Sequence, residues 1–283
     1  MGKWLKVIAI IVVSSAALLY LAGWLCLETR VLMYHSVKPN ANPKDKLSVS
    51  THTFRQQMEL LDTYHYSVIP LEALAMMLRE KRPIPPKAIA ITFDDTNEDT
   101  YLYAYPVLKA YDFTATVFVV TEYVGRPHKL TWEQIRRMQK SGLVSAGSHT
   151  ISHSPLKGIK LVRILNREIA DSKVIIEKML GSPVNLFSYP FGECNAKLKN
   201  MVKDAGYDAA VVSRPWSSCV RDTYALGRFG IFEGSSTAFE VWLTMRELYI
   251  GALEFFKTVK SKLKLKACAR EVLYADRLVF HAG

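Results

Sequence analysis

From Val31 onward the chain alternates between short apolar runs of strand character and longer runs of helical periodicity. The strands fall at Arg30–Tyr34, Ser67–Ile69, Ala88–Phe93, Thr114–Val120, Val144–Ser148, Leu186–Tyr189, Ala209–Ser213 and Arg228–Phe232. Between them, Phe54, Met58 and Leu61 mark one helix face, with Thr51 or Thr53 as its cap. A helix over Leu71–Lys81 is halted by Pro83, and another surrounds Tyr101–Ala110. Thr131-Trp132-Glu133-Gln134 reads as a capping box opening a helix that Gly142 closes. A long amphipathic helix, Leu161–Leu180, ends at Gly181, and shorter ones follow at Ala196–Ala205 and Ala238–Leu248. Strict alternation of this kind implies parallel strands joined by helical crossovers, seven or eight units closed as a barrel or open as a doubly wound sheet. A chain of 283 residues with 49% hydrophobic composition can bury one core of that size. No glycine-rich phosphate loop follows the first strand, which counts against a dinucleotide fold.

Reactive side chains sit where a barrel displays its chemistry, on the loops that follow the strands. His35, Asp94-Asp95, His149 and Tyr189-Pro190-Phe191-Gly192 each lie just past an expected strand, which favours the barrel. One carboxylate with two imidazoles (His149 and His153) is a donor set for a hydrolytic divalent metal, and the spare carboxylate suits a general base. Taken singly, an Asp pair or two His four apart is as often a solvated surface; placement at the ends of buried strands, where charge is costly, points to a site. The four cysteines show no CxxC spacing, so any metal uses His and carboxylate ligands. Cys194 and Cys219 either pair or remain thiols.

Lys and Arg outnumber Asp and Glu 37 to 26, a formal charge of +11. No nucleic-acid motif accompanies that excess, and a membrane surface fits better. Val7–Leu27 is apolar apart from two Ser and a Tyr, long enough to span a bilayer, and Lys3 and Lys6 favour a cytoplasmic N-terminus. A cleaved signal peptide is the alternative, but Leu21-Ala22-Gly23-Trp24 is a poor cleavage site. The expected organisation is a membrane anchor over 1–29, a barrel over 30–249 and a basic extension over 250–283. In that extension Lys257, Lys260, Lys262, Lys264, Lys266 and Arg270 interleave with large apolar residues, a solvated helix or a second contact with membrane lipids. The expected location is single-pass in the cytoplasmic membrane, with the catalytic domain outside.

Thr92-Phe93-Asp94-Asp95, His149-Thr150-Ile151-Ser152-His153 and Tyr189-Pro190-Phe191-Gly192 resemble the first three motifs of the polysaccharide deacetylase (NodB homology) family, carbohydrate esterase family 4. Val31-Leu32-Met33-Tyr34-His35-Ser36-Val37 resembles the first strand of its bacterial membrane-associated branch. Leu130–Gln134 and Ala205-Gly206-Tyr207 also fit, so the likeness covers roughly residues 30 to 245. The resemblance implies a distorted (β/α) barrel that removes acetyl groups from amino sugars with one divalent metal, most often zinc. It implies Asp95, His149 and His153 as metal ligands, Asp94 as general base, and the backbone N–H of Phe191 as oxyanion donor.

Three departures stand out. Thr96 replaces the glycine that usually follows the Asp pair. Ser188 replaces the arginine that usually opens the third motif and orients the base. Because an unpaired buried carboxylate takes up a proton, a cation is still required near Asp94, and Arg228 is the candidate, against a surface arginine beside Gly227. The family's late leucine-x-histidine motif, which supplies the general acid, is not recognisable; His35 either takes that role or binds substrate, and His281 lies outside the match. Tyr189 and Phe191 stack on sugar or belong to the core. The substrate is an amino-sugar polysaccharide of the cell envelope or a lipid-linked sugar, and the competing reading is a non-catalytic glycan-binding protein on the same barrel.

Overall fold

The computed structural model describes residues 30–213 and 222–248, with 250, 251, 254, 255 and 258. The expected anchor, nearly all of the basic extension and Cys219 lie outside the described residues. Among those described, no helix is long and apolar enough to cross a membrane. The barrel belongs to a compact unit running from Glu28 to Phe239, and the described residues from Glu240 onward belong to a second unit.

The staves are β1 (Val31–Tyr34), β5 (Ala88–Phe93), β6 (Ala115–Val119), β7 (Val144–Ser148), β8 (Leu186–Ser188) and β9 (Ala209–Val212), all paired in parallel in that order. A last short segment is split into β10 (Leu226–Gly227), paired with β9, and β11 (Phe229–Gly230), paired with β1. Leu226 aligns with Val211, and Phe229 with Leu32. The two edges of the sheet therefore meet through one residue, Arg228, and the ring has seven staves. A short β4 (Ser67–Val68) adds to the start of β5. The alternation of the sequence is thus realised as a distorted barrel, with the last strand beginning two residues earlier than expected and interrupted where an arginine turns inward.

Helices follow the strands. They are α1 (Thr51–Thr63), α2 (Leu71–Arg79), α3 (Tyr105–Tyr111), α4 (Trp132–Lys140), α5 (Val162–Asn166), α6 (Ser172–Leu180) and α7 (Ala196–Asp204). The capping box at Thr131 and Gln134 forms on both sides, and Gly181 ends α6 in the left-handed conformation. The cap of α1 is Ser50, whose side chain accepts from Thr53 N–H, and not Thr51 or Thr53. The cap moves back because Ser48–Ser50 forms β3, paired with β2 (Ser36–Lys38), in a stretch whose polarity reads as loop. The long Leu161–Leu180 helix is present as α5 and α6 joined by a π-helical turn at Arg167–Asp171.

Strand periodicity sorts the side chains. Phe93 and Tyr34 turn outward to Phe54 on α1, with ring centroids 5.1 to 5.9 Å apart. Their neighbours Thr92 and Asp94 turn into the ring. Gly147 on β7 permits a close approach: a Cβ there would lie 2.5 Å from the Phe118 ring. Gly147→Ala is therefore expected to cost about 1–3 kcal/mol by overpacking, and less in a Phe118→Leu background, where the ring is gone. Thermal melts of the four proteins test this, and equal penalties in both backgrounds would show that the ring is not the obstacle.

Candidate active site

Asp94 is the first residue past β5, and its carboxylate is buried to 2% exposure. Burial alone would raise its pKa. Arg228, wholly buried, opposes this with two parallel hydrogen bonds, one Nη donating to Oδ1 and the other to Oδ2, each 2.7 Å. The pKa therefore falls well below the usual carboxylate range. The guanidinium is fixed on its other sides by Thr92 Oγ1 at 3.2 Å, Ser188 Oγ at 3.1 Å and the Val212 carbonyl at 3.3 Å, and it lies over the Phe118 ring. Ser188 also donates to Asp94 at 3.3 Å. The small Ser188 side chain leaves the volume that Arg228 enters from across the ring, so the cation missing from the third motif arrives on another strand.

Asp95, His149 and His153 converge. Asp95 Oδ1 lies 3.6 Å from His149 Nε2 and 3.3 Å from His153 Nε2, and the three donor atoms lie within 4.8 Å of one another. His149 Nδ1 is 2.7 Å from the Ser188 carbonyl. A carbonyl only accepts, so Nδ1 carries a proton, and in the neutral ring Nε2 then presents a lone pair to the site. Asp95 Oδ1 is buried and without a hydrogen-bond partner. A cation bound between these atoms would satisfy the lone pairs that face each other at such separations. Four ligands about 2.0–2.1 Å from a tetrahedral zinc stand roughly 3.3 Å apart, so the donor set fits such an ion. Burial, ahead of the neighbouring His149, lowers the pKa of His153 and keeps it neutral, as a ligand must be.

Backbone strain gathers here. Of nine non-glycine residues with positive φ among the described residues, Asp95, Thr96, Thr150, His153 and Phe191 belong to these loops. Thr96, at φ 58° in the place of the usual glycine, is held by its Oγ1 accepting from Val120 N–H at 2.7 Å. Gly192 packs so closely on Ser213 that a Cβ would lie 2.4 Å away, and its φ is 66°.

The remaining expected residues divide. His35, just past β1, is within electrostatic range of Asp94, Asp95 and His149; burial lowers its pKa against the pull of both carboxylates. Phe191 is 61% exposed, with its ring 4.9 Å from that of His153. Tyr189 does not join the site as a side chain. It shares the outward parity of Phe187, meets that ring edge-to-face at 5.1 Å and donates to the Tyr224 carbonyl, while Pro190 and Gly192 are buried in the turn.

The sequence profile described as polysaccharide deacetylase matches residues 81–210. YxkH of Bacillus subtilis (strain 168), a protein carrying a polysaccharide deacetylase name, is 35% identical over 217 residues, covering 75% of each chain. This chain belongs to the polysaccharide deacetylase family. It is accordingly a hydrolase acting on carbon–nitrogen bonds other than peptide bonds. The poly-beta-1,6-N-acetyl-D-glucosamine N-deacetylase of Escherichia coli (strain K12) is 26% identical over 62% of this chain, which spans only 32% of that protein. Among solved structures, the Streptococcus pyogenes deacetylase PplD in complex with acetate superposes with a TM-score of 0.66 at 27% identity, over 74% of this chain and 96% of that one.

Three residues near the site were not singled out from the sequence. Lys129 Nζ donates to the Asp95 carbonyl at 2.9 Å and to Asn97 Oδ1 at 2.7 Å, and Asn97 in turn donates to the His35 carbonyl. Glu168 hydrogen-bonds the loop between the two histidines. Its signal was present: an acid on the buried stripe of Leu165, Ile169, Ser172 and Ile176.

Arg228→Met is expected to lower stability at neutral pH by about 3–5 kcal/mol, because it strands a buried carboxylate. In the native protein the depressed pKa of Asp94 contributes stability that is complete above the ordinary carboxylate pKa and is lost as pH falls through the folded value. In the variant, burial acts without the guanidinium and raises that pKa, so acidification relieves the penalty. Urea unfolding should show a gap that is widest at neutral pH and narrows towards acid; a gap independent of pH would mean that Asp94 does not carry it.

Proposed function

We propose that the chain is a metal-dependent N-deacetylase of an amino-sugar polymer of the cell envelope. The observation that carries this reading is a clamped, ionised Asp94 beside three convergent ligands, Asp95, His149 and His153. Asp95, His149 and His153 would hold a divalent ion, zinc by the donor set, which when bound would supply Lewis acidity toward the acetyl carbonyl and a water. Asp94 then accepts the proton of the attacking water. Arg228 makes Asp94 a weak base, suited to a water already acidified and unsuited to bulk water. As the tetrahedral centre forms, its oxyanion faces the turn bearing the Phe191 N–H. Collapse breaks the C–N bond to acetate and amine, and the amine nitrogen needs a proton. His35 is neutral at rest, since burial lowers its pKa; it relays to the amine the proton that Asp94 took from the water, accepting at one ring nitrogen while donating from the other, and Asp94 returns to its ionised form. The exposed Phe191 ring offers an apolar surface to a pyranose face.

The names of the relatives support a poly-N-acetylglucosamine substrate. A lipid-linked amino sugar is the second reading, favoured by the spanning-length apolar run that only three residues separate from Val31. On either substrate the enzyme works at the outer face of the cytoplasmic membrane, in contact with lipid.

Asp94→Asn is expected to reduce acetate release from N-acetylated amino-sugar polymers by about 100- to 10,000-fold while stoichiometric metal stays bound. The assay runs cell-wall, exopolysaccharide and lipid-linked amino sugars side by side, with and without chelator. Near-native turnover in the variant would refute the base assignment, chelator-insensitive turnover the metal, and metal retention without acetate from any glycan would favour the binding-protein reading.

Location is tested by extraction. Surface electrostatics are screened over about 10 Å at 0.1 M salt, whereas a spanning helix is not released. Full-length protein should resist high salt and require detergent. A chain beginning at Glu28 should bind anionic vesicles only at low salt, and should lose that binding when 250–283 are deleted. A soluble native protein with its mature N-terminus near Trp24 would show a cleaved, secreted enzyme instead.

A further inference from the structure

The two histidine ligands are carried by a five-residue loop that is intrinsically unfavourable, since Thr150 and His153 both have positive φ, 70° and 61°. Part of its restraint is internal: Thr150 Oγ1 accepts from His153 N–H at 3.0 Å. Outside it, the backbone N–H groups of Thr121 and Glu122 donate to the Thr150 and Ile151 carbonyls at 3.2 and 3.0 Å, and one side chain gathers the loop's own N–H groups. Glu168, 5% exposed and 15 to 19 residues further along the chain, accepts from Ile151 N–H and Ser152 N–H on Oε2, each at 3.0 Å, and from Ser152 Oγ on Oε1 at 2.8 Å. These are all the hydrogen bonds its carboxylate makes among the described residues, and no Lys, Arg or His pairs with it there. A buried carboxylate without a counter-ion is costly unless its lone pairs are filled. Glu168 fills them from the loop between the ligands. It reaches that loop from the π-helical turn between α5 and α6, Arg167–Asp171, a local widening of the helix of the kind frequent at functional sites.

We propose that Glu168 is a positioning residue: by gathering Ile151 and Ser152 onto one carboxylate it holds the loop in its strained form and so sets the separation of His149 and His153 as a metal-ligand pair. It hydrogen-bonds neither ligand side chain, so its effect is transmitted through the loop backbone. The proposal rests on the metal-site reading above.

The test uses the full chain with zinc as probe. Zinc affinity is measured by chelator competition for wild type, Glu168→Gln, Glu168→Ala and Ser152→Ala, alongside the electronic spectrum of the cobalt-loaded proteins and thermal unfolding of the metal-free proteins. Supporting shells of this kind typically change metal affinity by about 10- to 100-fold. Glu168→Ala should weaken zinc by that amount and alter the cobalt spectrum. Glu168→Gln should stay within about threefold of wild type, because the amide oxygen can accept both N–H groups and the amide nitrogen can donate to Ser152 Oγ. Ser152→Ala, losing one of three bonds, should fall between. If Glu168→Ala does not fold, the other two decide: a several-fold loss in Ser152→Ala with an unchanged metal-free melting temperature, rescued affinity in Glu168→Gln, supports the role. Wild-type zinc affinity and cobalt spectrum in a folded Glu168→Ala, or in Ser152→Ala, overturn it. A wild-type protein that takes up no zinc overturns the metal-site reading as well, which separates the two failures.

Discussion

A buried carboxylate held ionised by a buried guanidinium is the constraint on which the rest of this site turns. Asp94 and Arg228 stand 134 residues apart and meet in the barrel interior through two 2.7 Å hydrogen bonds. Neither group could be buried alone without changing its protonation state or the fold. Once they are paired, Thr92 and Ser188 are committed to the guanidinium and its carboxylate. The Ser188 carbonyl is committed to His149, which fixes the tautomer that the neighbouring donor set requires. One small serine thus serves the base through its hydroxyl and a ligand through its backbone.

The barrel was legible because both signals on which it depends are local. Strand and helix periods appear in windows of about ten residues, and reactive groups at strand ends follow from burial cost. The departures have physical causes of longer range. Polar Ser36–Ser50 forms two short strands because β2 and β3 pair with each other, and propensity within either one does not show it. Tyr189 looked available because it sits in a motif with exposed Phe191. Strand parity decided otherwise, placing Tyr189 with Phe187 and leaving Ser188 to face the ring.

Arg228 and Glu168 mark the boundary of what a sequence can disclose. An arginine between Gly227 and Phe229 is ambiguous until the strand opposite is known, since its burial depends on a carboxylate far away in the chain. Glu168 broke the apolar stripe of its helix, which is a visible irregularity, but its purpose lies in two backbone N–H groups that no sequence pattern encodes. Strain is likewise unreadable in advance. Thr96 occupies a left-handed position that glycine would take without cost, and what makes this tolerable is the bond to Val120 N–H.

The ring is closed by its last segment, the interrupted strand that joins β9 to β1. This gives the molecule an order of assembly. A chain synthesised from the N-terminus presents Asp94, Asp95, His149, His153 and Glu168 well before Leu226–Gly230 exists. During that interval the sheet has two open edges, and the carboxylate destined for the interior has no guanidinium to meet. Edge protection and charge neutralisation are completed by the same five residues. A product truncated before Leu226 is thus left with unpaired strands and an uncompensated acid together, two features that quality control in a cell can recognise as incomplete.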